Sequence, residues 1–249
     1  MSQPAARSTD FVLHSPQTDT DYSIHVAAPA PAREPGPWPA IAFMDGDDQF
    51  KYAVAAYQAA RDTGEVPPLL LVGVGYGAGY TKPGNRRLRD YTPTALATEP
   101  GSGGADAFVA FLGDTLWPEL AKRHPLRDDQ RGVAGHSLGS LLVLHALFQR
   151  EPRFNRFLAS APSLWWDERS VLRLAAARRD STGELPARLF LGVGTGDTPS
   201  MTGDLARLEA QLADRPFARL EIVSRRFADR DHYNVLPESF RAGLHALFG

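Results

Sequence analysis

The stretch Arg131–Glu151, RGVAGHSLGSLLVLHALFQRE, constrains the fold more than any other part of the 249-residue chain. A short strand-like run, Arg131–Ala134, leads into Gly135-His136-Ser137-Leu138-Gly139, and an apolar helical stretch, Ser140–Glu151, follows. Strand, tight turn with a serine at its tip, then helix is the geometry of a nucleophile elbow. The glycines are needed because the serine sits on a strained backbone, where bulkier neighbours would run into the flanking strand and helix. A Gly-x-Ser-x-Gly pentapeptide also arises by chance as a glycine-rich turn. The strand before it and the helix after it separate this one from such a turn.

The same alternation runs through the whole chain. Strands are expected near Asp10–His14, Tyr22–Ala28, Ala40–Met44, Leu69–Val74, Arg131–Ala134, Arg156–Ser160, Arg188–Val193 and Arg219–Arg225. Helices are expected over Phe50–Asp62, Gly104–Arg123, Ser140–Glu151, Glu168–Arg178, Thr202–Asp214 and Pro237–Phe248. Tyr22, Ile24 and Val26 alternate with Ser23, His25 and Ala27, which fits an early antiparallel strand with one covered face. The later runs LLLVGVG and LFLGVG are continuously apolar, as strands buried on both faces are. These patterns predict an α/β protein, an eight-stranded, mostly parallel sheet with helices on both faces, in a single domain over residues 1–249. No internal repeat interrupts it.

Two stretches break the rhythm. Ala28–Pro39 is proline-rich and reads as a surface connection. Residues 76–104 form a long Gly/Pro/Arg-rich excursion after the fourth strand. Because it leaves the carboxyl end of a central strand, where open α/β sheets bind ligands, it is expected to line the pocket.

Composition removes other classes. A formal net charge of -2 provides no basic field for nucleic acid. With no cysteine, disulfides, thiolate metal sites and a cysteine nucleophile are excluded together. Neither a signal-peptide h-region nor an apolar run of membrane-spanning length, about 18 residues, stands out. A soluble, cytoplasmic protein without membrane partners is therefore expected.

A serine hydroxyl is a poor nucleophile until a neutral imidazole takes its proton, and a carboxylate on the other ring nitrogen fixes the tautomer. Elbows of this kind use the chain order Ser…Asp/Glu…His. Asp197 lies just after the seventh strand, in Gly194-Thr195-Gly196-Asp197, and His232 follows the eighth, in Asp229-Arg230-Asp231-His232. Asp167, Asp229 and Asp231 are the rival carboxylates. His14, His25, His124, His136, His145 and His245 sit where structural or solvated roles fit better. An oxyanion hole needs two backbone N–H groups. Leu138, after the serine, should give one, and Asp47, in the turn Met44-Asp45-Gly46-Asp47-Asp48 after the third strand, the other. Asp45, Asp47 and Asp48 lack the register and distal glutamate of a calcium loop, so no metal and no cofactor is expected.

The loop MDGDDQF, the stretch Arg87-Leu-Arg-Asp90-Tyr-Thr-Pro93, GGADAFVAFLGDTLWPEL, GHSLG, Ser160-Ala-Pro-Ser-Leu-Trp-Trp166 and Asp231-His232 span residues 40 to 232 in order. Together they resemble the branch of α/β-hydrolases that contains the enterochelin (siderophore trilactone) esterases and, more distantly, feruloyl esterases and S-formylglutathione hydrolases. The resemblance implies the α/β-hydrolase fold, Ser137 and His232 as the core pair, and an oxyanion site around Asp47. It also implies an Arg87 that faces an acidic substrate, with Trp165 and Trp166 beside the acyl group. Ser140 departs from the second glycine of the usual GHSLGG, and Gly-Thr-Gly-Asp197 is closer to the feruloyl-esterase pattern. The expected activity is serine-dependent hydrolysis of a small-molecule carboxylic ester. An acyltransferase or a non-catalytic binding module on the same scaffold is the alternative, and neither oligomeric state nor the particular ester is encoded in these motifs.

Overall fold

Alternation of short apolar runs with amphipathic ones builds a single sheet flanked by helices. The computed structural model describes residues 7–30 and 32–249; positions 1–6 and Pro31 of the proline-rich connection lie outside the described residues. In chain order these form β1 (Arg7–Ser15), β2 (Thr20–Ala28), β3 (Trp38–Phe43), α1 (Gly46–Asp62), β4 (Leu70–Gly75), α2 (Arg87–Tyr91) and α3 (Ala105–Phe111). A π-helical turn (Leu112–Leu116), α4 (Trp117–Arg123), β5 (Leu126–His136), α5 (Leu138–Phe148), β6 (Arg156–Ser160) and α6 (Trp166–Ser181) follow. The chain ends with β7 (Glu184–Gly194), α7 (Pro199–Asp214), β8 (Ala218–Phe227) and α8 (Leu236–Phe248).

The strand order is β1-β2-β4-β3-β5-β6-β7-β8. β1 pairs antiparallel with β2, and β2 with β4; every later pairing is parallel. This is the eight-stranded, mostly parallel arrangement expected of an α/β-hydrolase. Successive residues of the central strands serve opposite layers, as the two-residue period of a strand requires. Ile41 and Phe43 join Phe50, Tyr57, Phe240 and Leu244 of α1 and α8 in one core. Ala40 and Ala42 join Phe108, Leu141, Leu144 and Trp117 of α3, α5 and α4 in the other. Both faces of β3, β4 and the carboxyl half of β5 are buried, hence their unbroken apolar runs.

Two elements differ from expectation. The helix read as continuous over Gly104–Arg123 contains a π turn before α4, whose second residue is Pro118. Proline has no N–H for the preceding turn and crowds it, and the wider turn accommodates this. The 76–104 excursion contains the short helix α2, which has no periodic signature long enough to read. Chain direction reverses around β3, so the turns after β3 and β5 face each other at a topological switch point, where open α/β sheets form ligand crevices.

Candidate active site

Ser137 stands between β5 and α5 with φ 59° and ψ -121°, a backbone region costly for any residue with a side chain. Close packing enforces it. A Cβ at Gly135 would lie 2.3 Å from the Gly139 carbonyl carbon, and one at Gly139 3.1 Å from Met44 Cβ. The Ser137 N–H donates to the Ser160 carbonyl (3.0 Å), tying the turn to β6. Ser140 is fully buried. Its hydroxyl lies 2.6 Å from the Gly135 carbonyl and 2.7 Å from that of Ser160, so it fastens the first turn of α5 to both strands.

The turns after β7 and β8 bring Asp197 and His232 together, with His232 Nδ1 2.9 Å from Asp197 Oδ2. The Asp197 side chain is fully buried, and its Oδ1 accepts the Thr198 N–H at the start of α7. Backbone contact makes this register possible. Gly196 N–H donates to the Arg230 carbonyl (2.8 Å) and Thr195 N–H to that of Phe227 (2.9 Å). A Cβ at Gly194 would lie 2.1 Å from the Arg230 oxygen. Two of the three rival carboxylates are otherwise engaged: Asp167 pairs with Arg173, and Asp231 accepts the Tyr233 and Asn234 N–H groups.

The His232 ring lies 4.6 Å, centre to centre, from that of His136 inside the elbow, which puts it beside the nucleophile turn. His136 is buried and bonds Ser160 Oγ through Nδ1 at 3.2 Å. Burial, reinforced by His232 and Arg87, lowers its pKa to about 3. His136 therefore stays neutral and adds no charge against an imidazolium at His232. Ser137 Oγ itself pairs with Ser163 Oγ, 3.3 Å away, rather than with His232.

Across the crevice, the turn after β3 is dense with charge. Asp45 is buried, with left-handed backbone (φ 57°, ψ 46°) at the start of α1. Its carboxylate receives Arg87 side-on, Nε to Oδ1 at 2.9 Å and Nη2 to Oδ2 at 3.1 Å. Burial pushes the Asp45 carboxyl up, and Arg87 pulls the other way. On Arg87, burial opposes the charge but the Asp45 carboxylate outweighs it, and the pKa is raised. The guanidinium lies 4.8 Å from the Tyr80 ring centre and 5.6 Å from that of Tyr91. Asp47 accepts the N–H groups of Tyr76, Gly77 and Ala78 and faces His25, and Asp48 accepts the Tyr80 N–H. The acidic run thus serves separate partners, and among the described residues no group of three or more histidine or acidic side chains converges as metal ligands.

The excursion is anchored rather than loose. Buried Asp90 takes hydrogen bonds from Tyr22, Tyr76 and Arg89, and Arg89 reaches on to Thr18 and Thr20. Two residues expected to meet the substrate have partners inside the protein. Arg87, read as facing an acidic substrate, turns its guanidinium onto Asp45 because a fully buried carboxylate needs a counter-charge. Trp166, read as lining the acyl pocket, is 2% exposed in the core and donates Nε1–H to Thr94 (3.1 Å). Its neighbour Trp165 is 47% exposed. Motif reading gave no role to Ser163 or to the clamp on Asp45; the only trace was that both sit inside the segments that carried the resemblance. A cleft of about 350 Å³ lined by Asp128, Arg131, Arg153 and Arg178 contains none of these residues.

Among the described residues no helix is long and apolar enough to cross a membrane. The sequence model of the esterase family, described as "Putative esterase", matches residues 15–232. The chain is 34% identical over 181 residues to the siderophore triacetylfusarinine C esterase of Aspergillus fumigatus, covering 70% of this chain but only 62% of that protein. It is 28% identical over 262 aligned positions to the ferri-bacillibactin esterase BesA of Bacillus subtilis, covering 94% of this chain and 88% of that one. The crystal structure of the BES protein from Bacillus cereus superposes with a TM-score of 0.86 at 25% identity, covering all of this chain and 97% of that one. With the family match spanning most of its length and its elbow, sheet order and strand-end loops in place, the chain belongs to this esterase family of α/β-hydrolases.

Proposed function

We propose that the protein is a serine carboxylic-ester hydrolase whose substrate is a siderophore ester or a related aromatic-acid ester. The observation that carries this reading is the 2.9 Å contact of His232 Nδ1 with a buried Asp197, beside a serine held at φ 59°. In the reaction, Ser137 Oγ turns from Ser163 to the His232 ring, loses its proton to Nε2 and attacks the ester carbonyl. Asp197 holds the Nδ1–H tautomer and stabilises the imidazolium, while neutral His136 leaves that charge unopposed. The N–H groups of Leu138 and Asp47, in the first turns of α5 and α1, receive the developing oxyanion, because the first N–H groups of a helix have no acceptor within it. His232 then protonates the leaving alcohol. Water attacks the acyl-Ser137 carbonyl, giving its proton to His232, and the acid leaves as Ser137 is reprotonated.

Two of the related proteins named above, the triacetylfusarinine C esterase and the ferri-bacillibactin esterase, act on siderophores, which favours a multi-ester substrate of that class. The anchored 76–104 excursion, exposed Trp165 and exposed Tyr80 would form its walls. The test is hydrolysis of p-nitrophenyl butyrate and of a catecholate trilactone by the wild-type protein and by Ser137→Ala. Expected are turnover of both, preference for the trilactone, and a loss in the variant of at least about 10³-fold. Turnover retained by Ser137→Ala refutes the mechanism; turnover of the simple ester alone refutes the siderophore assignment.

A further inference from the structure

We infer that Arg87 and Tyr91 are positioning residues for the oxyanion turn, acting through Asp45, so that they support hydrolysis of every ester rather than select acidic ones. This rests on the assignment of the β3–α1 turn to the oxyanion site. Asp45 is the last residue before the free N–H groups of α1, and its left-handed backbone sets the direction in which the chain enters Gly46 and Asp47. An L-residue in that region is uphill unless its surroundings hold it, although aspartate tolerates it better than most.

Here all three polar groups of Asp45 are held. Its N–H donates to Tyr91 Oη at 2.9 Å. Its carbonyl accepts the N–H groups of Asp48 (3.1 Å) and Gln49 (2.8 Å), which starts α1. Its carboxylate, fully buried, takes two parallel hydrogen bonds from Arg87. That carboxylate also rests against the nucleophile helix: a Cβ at Gly139 would lie 3.5 Å from Asp45 Oδ2. One side chain thus spans the two turns that carry the candidate donors, Asp47 on one and Leu138 on the other. Gly46 leaves no slack on the far side, since a Cβ there would lie 2.8 Å from the β4 backbone at Gly73 and Val74. Arg87 and Tyr91 both come from the excursion, at the two ends of α2, and Asp90 beside Tyr91 is itself fixed to β2 through Tyr22. The excursion therefore braces the turn from outside the sheet.

A brace and a recognition group respond differently to substitution. A displacement of the oxyanion donors by a fraction of an ångström weakens transition-state binding while leaving ground-state binding alone. A lost recognition cation raises KM for anionic substrates only. The experiment compares Arg87→Lys, Arg87→Gln and Tyr91→Phe in the full chain on p-nitrophenyl butyrate and on the anionic mono-p-nitrophenyl glutarate. Inhibition by a trifluoromethyl ketone, which forms a tetrahedral adduct on serine, is measured in parallel. Expected is a fall in kcat of about 10- to 100-fold on both esters for the Arg87 variants and about 10-fold for Tyr91→Phe. KM should stay within about 2-fold, and ketone affinity should drop by the same factor as kcat. A loss confined to KM for the glutarate overturns the inference and restores Arg87 as a recognition residue. Wild-type kcat in Tyr91→Phe, which removes one oxygen and keeps the ring, overturns it as well, even if the Arg87 variants fail to fold. Ser137→Ala serves as the control that separates this from the reaction itself: undiminished turnover there condemns the hydrolase reading, whatever Arg87 does.

Discussion

The two sides of the elbow are held by different forces. On the β7–β8 side, Asp197 and His232 are brought together by backbone: glycines at 194 and 196 let the two turns approach, and main-chain hydrogen bonds from Thr195 and Gly196 lock them. On the β3–β4 side, Asp45, Asp47, Asp90, Arg87 and Arg89 form a partly buried ionic lattice with tyrosines 22, 76 and 91. The first construction needs few side chains, because main chain meets main chain where the two turns join. The second needs every partner, because a buried charge that loses its counter-charge is strongly destabilising. The contrast suggests that one side supplies chemistry on a rigid frame while the other supplies shape through interactions that can be tuned.

The largest effect in this comparison belongs to Asp197→Asn. The amide keeps the shape of the buried carboxylate but favours the wrong His232 tautomer, and kcat should fall by about 10³- to 10⁴-fold with KM little changed. Steady-state kinetics on a p-nitrophenyl ester decide it. A kcat within about 10-fold of wild type would mean that Ser137 and His232 act as a pair, with Asp197 structural. Next comes Gly194→Ala, which sets a methyl 2.1 Å from the Arg230 oxygen and must push the two turns apart. Expected is a loss of about 2–4 kcal/mol in unfolding free energy by urea titration, comparable to overpacking of a core. An unchanged midpoint would show that the β7–β8 side is less rigid than its backbone contacts indicate.

The same contrast separates what is legible in the sequence from what is not. The succession of strands along the chain, the elbow and the Ser…Asp…His sequence are legible because each depends on local pattern: Gly-x-Ser-x-Gly between strand and helix, Gly-Thr-Gly-Asp197 at a strand end, His232 after the last strand. Asp45 was visible only as one of three acids in a short run, since nothing near it in the chain says that its counter-charge comes from Arg87, 42 residues later. Trp166 reads as a pocket residue beside Trp165 because adjacent positions look alike in a motif. The start of α6 turns one ring out and the other into the core. Helix α2 has five residues and no periodicity to detect, and its position follows from Asp90 and Arg89 finding partners on β2 and the β1–β2 turn. His136 is legible as an elbow residue, but not as the ring on which His232 packs.

The smallest effect tests whether the β3–β4 side is tuned by charge. His25 on β2 lies between two carboxylates, its Nε2 3.4 Å from Asp47 Oδ1 and its Nδ1 3.2 Å from Asp10 Oδ2. The Asp47 hydrogen bond raises the His25 pKa, burial pulls it down, Asp10 adds to the rise, and the net direction is up. For Asp47, burial raises the pKa, but His25 and the N–H groups of Tyr76 and Ala78 outweigh it and the net direction is down. A histidine whose folded pKa exceeds its unfolded value, about 6.5, stabilises fully below that value and loses the contribution as pH rises through the folded one. A depressed carboxylate stabilises above its unfolded value, about 3.9, and loses the contribution as pH falls. The wild-type advantage over His25→Gln should therefore peak between about pH 4 and 6.5 and fade above the raised histidine value. Because Asp10 is mostly exposed and solvent screens the pair, the expected size is at most about 1 kcal/mol, or about 2–4 °C in Tm. Thermal melts of both proteins from pH 4 to 9 measure it. A Tm difference that stays constant across that range would mean that His25 holds Asp47 by packing alone, and that charge on this side of the site matters only at the pairs with a fully buried carboxylate, Asp45–Arg87 and Asp90–Arg89.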